Sequence, residues 1–207
     1  MFPPPQFFPE VRMNFAEHLL DHPSINPFAL HAVTEGAATI RSMTRQELRE
    51  EVRVLADALH QHGVGRGDRV AAVISNCVES VVACLATLSL GALWSTTSPD
   101  VGADGIMQRL DQIEPKLVFF ESSVQYSGKR RSLTQKYEDC LVRLRNVHNF
   151  QLAVLIIRDE PYPCQAGHDS TTYEQFIATA TGRPLTFEQL PFNHPGFIVY
   201  SSGTVSS

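Results

Sequence analysis

The chain has 207 residues, 43% of them hydrophobic, enough for one large domain or two small ones around a real core. Its formal net charge is -5, and Lys and Arg are scattered apart from the short cluster Lys129, Arg130, Arg131, so no basic stripe is present to hold a nucleic-acid backbone. Cys77, Cys84, Cys140 and Cys164 lack CxxC spacing and lie mostly in apolar segments, which reads as reduced, buried thiols in a cytoplasmic protein.

The opening MFPPPQFFPE has neither a basic start nor a continuous apolar stretch, so no secretory signal is expected. The first strong element is MTRQELREEVRVLADALHQHG. Thr44 and Glu47 make a capping-box pattern, Leu48, Val52, Leu55 and Leu59 recur on one helical face, and Gly63 closes the helix. Residues 70 to 93 are apolar over a length that approaches a membrane span. Ser75, Asn76 and Glu79 interrupt them, and the segment is read as a buried strand 70–74, a turn at Ser75 and Asn76, and a largely buried helix over 77–90.

The chain then alternates: a short strand at Leu93 to Ser95, a helix over 103–113, a strand over 117–120, a helix over 134–145 and a strand over 152–157. Pro115 separates the helix over 103–113 from LVFF. Continuous apolar strands alternating with helices predict an α/β fold with a mostly parallel sheet covered by helices. Residues 158 to 172 read as a surface loop, YEQFIATA as a short helix, and 182–196, with Pro184, Pro191 and Pro195, as an extended segment.

Where FIVY runs into SSGT, a strand delivers small hydroxyl residues and a glycine to the edge at which open parallel sheets bind ligands. Glycine lets backbone approach an anion closely, and hydroxyl and main-chain groups donate without bulk, so Ser201, Ser202, Gly203 and Thr204 are candidate phosphate ligands. Three other patterns carry less. His18 and His22 in HLLDH have metal-ligand spacing without a third ligand and read as a helix surface. GVGRG follows a helix and precedes a strand, the reverse of the dinucleotide fingerprint. Trp94, with Ser95 to Ser98, is either a buried aromatic or part of the ligand side of the sheet.

The stretches FFPEVRMNFAEHLL, GVGRGDRVAAVISN, LGALWSTTSPD, MQRLDQIEPKLVFF, VQYSGK and FEQLPFNHPGFIVYSSGT resemble the acyl-CoA synthetases of the adenylate-forming superfamily. LGALWSTTSPD and FEQLPFNHP are its more specific signatures, while GDRVA and YSSGT are shared across the superfamily. The likeness covers nearly the whole chain, which is about a third of the usual two-domain length.

The resemblance implies an ATP-dependent acid–thiol ligase using Mg-ATP, CoA and a small carboxylate. The expected acid is acetoacetate, with acetate or propionate as the alternative. The carboxylate would attack the α-phosphate of ATP, and the CoA thiol would then displace AMP. It also implies that Ser201 to Thr204 belong to the phosphate loop. Gly128, Lys129 and Arg130 would meet a phosphate of the CoA nucleotide, the alternative there being a solvated basic loop. In the family YSSGT continues as T-G-x-P-K, whereas Val205, Ser206 and Ser207 stand here. The expectation is therefore an N-terminal segment over 1–40 and an AMP-binding domain over 41–207 cut within its phosphate loop. No catalytic or metal-binding residue is expected in this piece, which by itself would be inactive; a non-catalytic nucleotide- or partner-binding module is the reading outside the enzyme class.

Overall fold

A computed structural model of the chain describes residues 7–33, 35–36, 40–158 and 169–200. The chain opens with β1 (Arg12–Met13) and α1 (Phe15–Leu20), followed by the antiparallel pair β2 (Phe28–Ala32) and β3 (Arg41–Thr44). Next come α2 (Arg45–Gln61), β4 (Arg69–Val73), α3 (Val78–Ser89), β5 (Leu93–Thr97), α4 (Ala103–Ile113) and β6 (Leu117–Glu121). A small hairpin of β7 (Ser123–Tyr126) and β8 (Lys129–Ser132) precedes α5 (Thr134–Leu144) and β9 (Leu152–Ile156). The last elements are β10 (Ser170–Thr172), α6 (Tyr173–Ile177) and β11 (Leu190–Pro191).

Five strands form one parallel sheet in the order β10-β9-β6-β4-β5. The α/β reading is correct, and the order is that of a doubly wound sheet that reverses direction between β4 and β6. Strand residues alternate between two cores. Val70, Ala72, Phe119 and Val154 face α2, α3 and α6, while Ala71, Val73, Phe120 and Leu155 face α4 and α5. Phe119 meets Phe176 edge to face at 6.2 Å, and Phe120 meets Tyr137 at 5.2 Å. Helix α3 is buried along most of its length, which explains why its sequence resembles a membrane span. Among the described residues no helix is long and apolar enough to cross a membrane.

The predicted capping box of α2 is present, with Thr44 Oγ1 accepting from Glu47 N–H at 3.2 Å and Glu47 Oε2 accepting from Thr44 N–H at 2.7 Å. Its C-terminus is a Schellman closure: Val64 N–H donates to Leu59 O and Gly63 N–H to His60 O, with Gly63 at φ +72°. Two elements run longer or shorter than the residue pattern suggested. β5 continues to Thr97 because it pairs with β4 along its whole length, and the helix expected over 173–180 ends at Ile177.

The region read as a surface loop contains β10, added to the sheet by three pairings to β9; its part over 159–168 lies outside the described residues. The extended segment 182–196 is tied down at both ends. Asp57, in the last turns of α2, accepts from the N–H groups of Thr181, Gly182 and Arg183 at 2.7, 2.8 and 2.9 Å. Asn14 caps α1 with its oxygen and donates through its amide to Leu88 O, Ser89 O and Glu188 O at 2.9, 3.2 and 3.0 Å. Gly91 makes room for the same segment, since at φ +72° a Cβ there would come within 3.0 Å of Glu188 Cγ.

Candidate functional site

In a doubly wound sheet the crevice at the reversal point, outside the carboxyl ends of the strands, is the general place for a ligand. Here that place lies where Ser75 leaves β4 and Glu121 ends β6, and it opens into a cavity of about 720 Å³. Glu121 is buried on a central strand end, an expensive position for a carboxylate unless it is partnered. Ser75 donates its N–H to Glu121 Oε1 at 2.6 Å and its hydroxyl to Oε2 at 3.0 Å. Arg158, just past β9, lies 3.5 Å from Glu121 and 3.0 Å from Glu79 on the first turn of α3. Arg41 reaches Glu79 from outside at 3.6 Å.

The two carboxylates respond in opposite directions. Burial pushes Glu121 above the ordinary carboxylate range despite Ser75 and Arg158. Burial also works against Glu79, yet the shorter hydrogen bond and charge of Arg158 hold Glu79 below it. Arg158 in turn is held firmly cationic, since Glu79 and Glu121 outweigh its own burial. The network is a charged floor to the cavity, and Cys77 beside it has a thiol raised by burial. Cys84 and Cys140 are pushed up to about 12 and about 11 by burial, so these are unreactive thiols, as the sequence suggested; Cys164 lies outside the described residues.

The cavity wall includes the β7–β8 hairpin, which the sequence reading treated as a loop. Its turn carries Gly128, and its first two residues on β8 are Lys129 and Arg130. All three are exposed. Gly128 N–H donates to Glu35 Oε1 at 2.8 Å. The Arg130 guanidinium donates to Ser123 Oγ at 3.1 Å and to the carbonyl of Arg158, joining the hairpin to the charged floor. Arg131 stacks over the Tyr126 ring at 4.7 Å. The turn thus holds a carboxylate on its main-chain donors.

A second crevice, of about 370 Å³, lies at the end of β5, between Trp94, Thr96, Thr97, Ser98 and the run Phe197–Tyr200. That run lies beside β5: Trp94 N–H donates to Gly196 O and Ile198 N–H to Trp94 O, both at 2.9 Å. Ser95 Oγ donates to Ile198 O at 3.0 Å, and Tyr200 OH to Arg109 O at 3.0 Å. Trp94 is buried, the first of the two alternatives considered for it, and it also lines this crevice. Ser201, Ser202, Gly203 and Thr204 lie outside the described residues; their approach, beside the carboxyl half of β5, is described.

His18 and His22 are exposed, with rings 5.8 Å apart. Among the described residues no group of three or more His, Cys, Asp or Glu side chains converges as a metal site would require of an all-protein ligand set. GVGRG forms the turn between α2 and β4, away from any strand end that binds ligands.

The family model for AMP-binding enzymes matches residues 24–206, most of the chain. The chain belongs to the AMP-binding enzyme family. It is similar to the acetoacetyl-CoA synthetases of Xenopus tropicalis and Rattus norvegicus, at 38% identity over 207 and 206 residues. Each alignment covers 98% of this chain and 31% of the relative. The acetoacetyl-coenzyme A synthetase of Rhizobium meliloti is 39% identical over 199 residues, 96% of this chain and 30% of that protein. The solved acetoacetyl-CoA synthetase from Streptomyces lividans superposes with a TM-score of 0.85 at 31% identity, covering 98% of this chain and 30% of that one. The chain thus spans about a third of the length of the relatives it matches.

Within this AMP-binding enzyme fold, residue patterns and resemblance pointed to Gly128, Lys129 and Arg130 but missed Glu35, Glu79, Glu121 and Arg158. One signal was available for two of them. Glu121 ends the apolar run LVFFE and Arg158 ends LAVLIIR, and a charge placed at the carboxyl end of a buried strand marks a crevice group.

Proposed function

We propose that this chain is part of an ATP-dependent acid–thiol ligase that joins acetoacetate to CoA through an acyl-adenylate. The observation that supports it most is the likeness to acetoacetyl-CoA synthetases over 98% of the chain, with LGALWSTTSPD and FEQLPFNHP falling on β5 and on the segment that leads to Phe197. In this reading Ser201, Ser202, Gly203 and Thr204 follow the run beside β5 and present hydroxyl and main-chain donors to the ATP phosphates. Such donors act where negative charge builds up during adenylate formation. Gly128, Lys129 and Arg130 meet a phosphate of the CoA nucleotide above the charged floor. Arg158 acts through Arg130, whose guanidinium its carbonyl accepts, and so positions rather than binds. The proposal includes a cytoplasmic location, in keeping with the unreactive, reduced thiols.

The test is acetoacetate-dependent release of AMP by the polypeptide that carries this sequence, with Gly203→Val and Lys129→Ala as variants. Gly203→Val is expected to lower kcat by about 100-fold, the scale of removing a fixed oxyanion donor. Lys129→Ala is expected to raise the KM for CoA and leave that for ATP unchanged. AMP release with acetate or propionate but not acetoacetate would overturn the substrate, and none with any acid and CoA would overturn the reaction class.

A further inference from the structure

The turn between β7 and β8 has both central residues in the left-handed region, Ser127 at φ +52° and Gly128 at φ +70°. Glycine takes that conformation freely, whereas serine does so at a cost in backbone strain. The consequence is that two successive N–H groups converge on one acceptor. Ser127 N–H donates to Glu35 Oε2 and Gly128 N–H to Glu35 Oε1, both at 2.8 Å. Glu35 stands 92 residues earlier in the chain than Ser127 and is itself exposed, so this contact joins two surface segments across the cavity mouth.

Two amides meeting the two oxygens of an anion form an oxyanion cradle, and Lys129 follows directly. Resting on the reading that Gly128, Lys129 and Arg130 meet a phosphate of CoA, we propose that Glu35 is an internal stand-in for that phosphate, a competitor that the ligand has to displace. A ligand can enter the cradle only by displacing a carboxylate of charge -1. A phosphate monoester carries about -1.5 to -2 at neutral pH and offers three strong acceptor oxygens, so it displaces Glu35 with a net gain in charge pairing to Lys129. A hydroxyl at the same position of the ligand brings no charge and leaves Glu35 in place. Because Glu35 is exposed, release to solvent leaves no buried charge behind. Glu35 therefore weakens the binding of CoA and leaves that of its 3′-dephospho form unchanged, while the preference for CoA comes from the two amides and Lys129.

The experiment compares the chain with its Glu35→Ala and Lys129→Ala variants. Binding of CoA and dephospho-CoA is measured by calorimetry, and the Ser127 and Gly128 amide resonances are followed during titration with inorganic phosphate. Removing the internal competitor is expected to tighten CoA by about five-fold, the effect of deleting one modest competing contact, and to change dephospho-CoA by less than about two-fold. CoA binding that is weakened by Lys129→Ala yet unmoved or weakened by Glu35→Ala would refute the stand-in role and leave the CoA reading intact. No CoA binding in any form, with phosphate shifting both amides only in Glu35→Ala, would uphold the cradle and its competitor while removing the CoA reading. If phosphate shifts neither amide with or without Glu35, the proposal is overturned.

Discussion

Substituting Asp57 by Asn isolates the charge that holds the approach to the ligand edge. Asp57 is 3% exposed, lies in the last turns of α2, and accepts three successive N–H groups from residues 181–183 on one oxygen and the Gln61 amide on the other at 3.0 Å. Burial pushes its carboxyl up, but the hydrogen bonds from Gln61, Arg183, Thr181 and Gly182 together prevail and hold it down at about 2, against an ordinary 3.8. At about 1.4 kcal/mol per pH unit this difference corresponds to about 2 kcal/mol, and the exposure of Thr181 and Gly182 reduces it to about 1–2 kcal/mol through solvent screening. The folded carboxyl titrates below the unfolded one, so the native state binds fewer protons and gains stability as pH rises. The contribution is complete above about pH 4 and is lost as pH falls through about 2. Urea unfolding followed by the single tryptophan, Trp94, is expected to show Asp57→Asn less stable by about 1–2 kcal/mol at pH 7, the two proteins converging near pH 2. A difference that stays constant from pH 7 to pH 2.5, or one below about 0.5 kcal/mol at pH 7, would refute the reasoning.

The charged floor predicts unequal effects for its members. Arg158→Ala leaves Glu121 and Glu79 without their shared cation and is expected to cost about 3–5 kcal/mol in urea unfolding. Glu121→Gln keeps an acceptor for the Ser75 N–H and removes a charge that burial already disfavours, so it is expected to cost less than about 1 kcal/mol at pH 7. Glu121 titrates above its unfolded value, so its contribution is lost as pH rises through and above the ordinary carboxylate range, and the comparison shifts in favour of Gln in that direction. Equal losses for the two variants would contradict the proposed division of charge. At the other edge of the sheet, Val199 is 83% and Phe197 46% exposed beside β5. Exposed apolar strand edges invite pairing, so the 207-residue chain is expected to self-associate in size-exclusion chromatography and Val199→Lys to reduce that association. A monodisperse monomer with little binding of a hydrophobic dye would contradict this expectation.

What the sequence made legible were the parts whose cause is local. The α2 caps are set by residues three positions apart, and the sheet strands announce themselves as apolar runs buried on both faces. The β7–β8 hairpin was missed because SVQY and KRRS lie largely exposed at the cavity mouth and show no alternation, and β10 because three residues become a strand only through β9. The site divides in the same way. Gly128, Lys129 and Arg130 are adjacent and visible, while Glu35, the carboxylate held on the N–H groups of Ser127 and Gly128, belongs to a distant segment brought there by folding. Asp57 and Glu35 show how far geometry alone can carry a functional reading. Each is a carboxylate seated on consecutive N–H groups of a turn that contains a glycine at positive φ, Gly182 for one and Gly128 for the other. Hydrogen-bond lengths do not separate them, since those to Glu35 are 2.8 Å and those to Asp57 run from 2.7 to 2.9 Å. Burial does. Asp57 is enclosed by the helix that carries it, and removing it would leave a packed helix without its tie to 181–183. Glu35 is exposed at a cavity mouth on the Ser127 and Gly128 amides, where a stronger anion can take its place at no cost in buried charge. The same local motif therefore acts as a permanent fastening at one position and as an exchangeable occupant at the other, and solvent access is the physical quantity that decides between them.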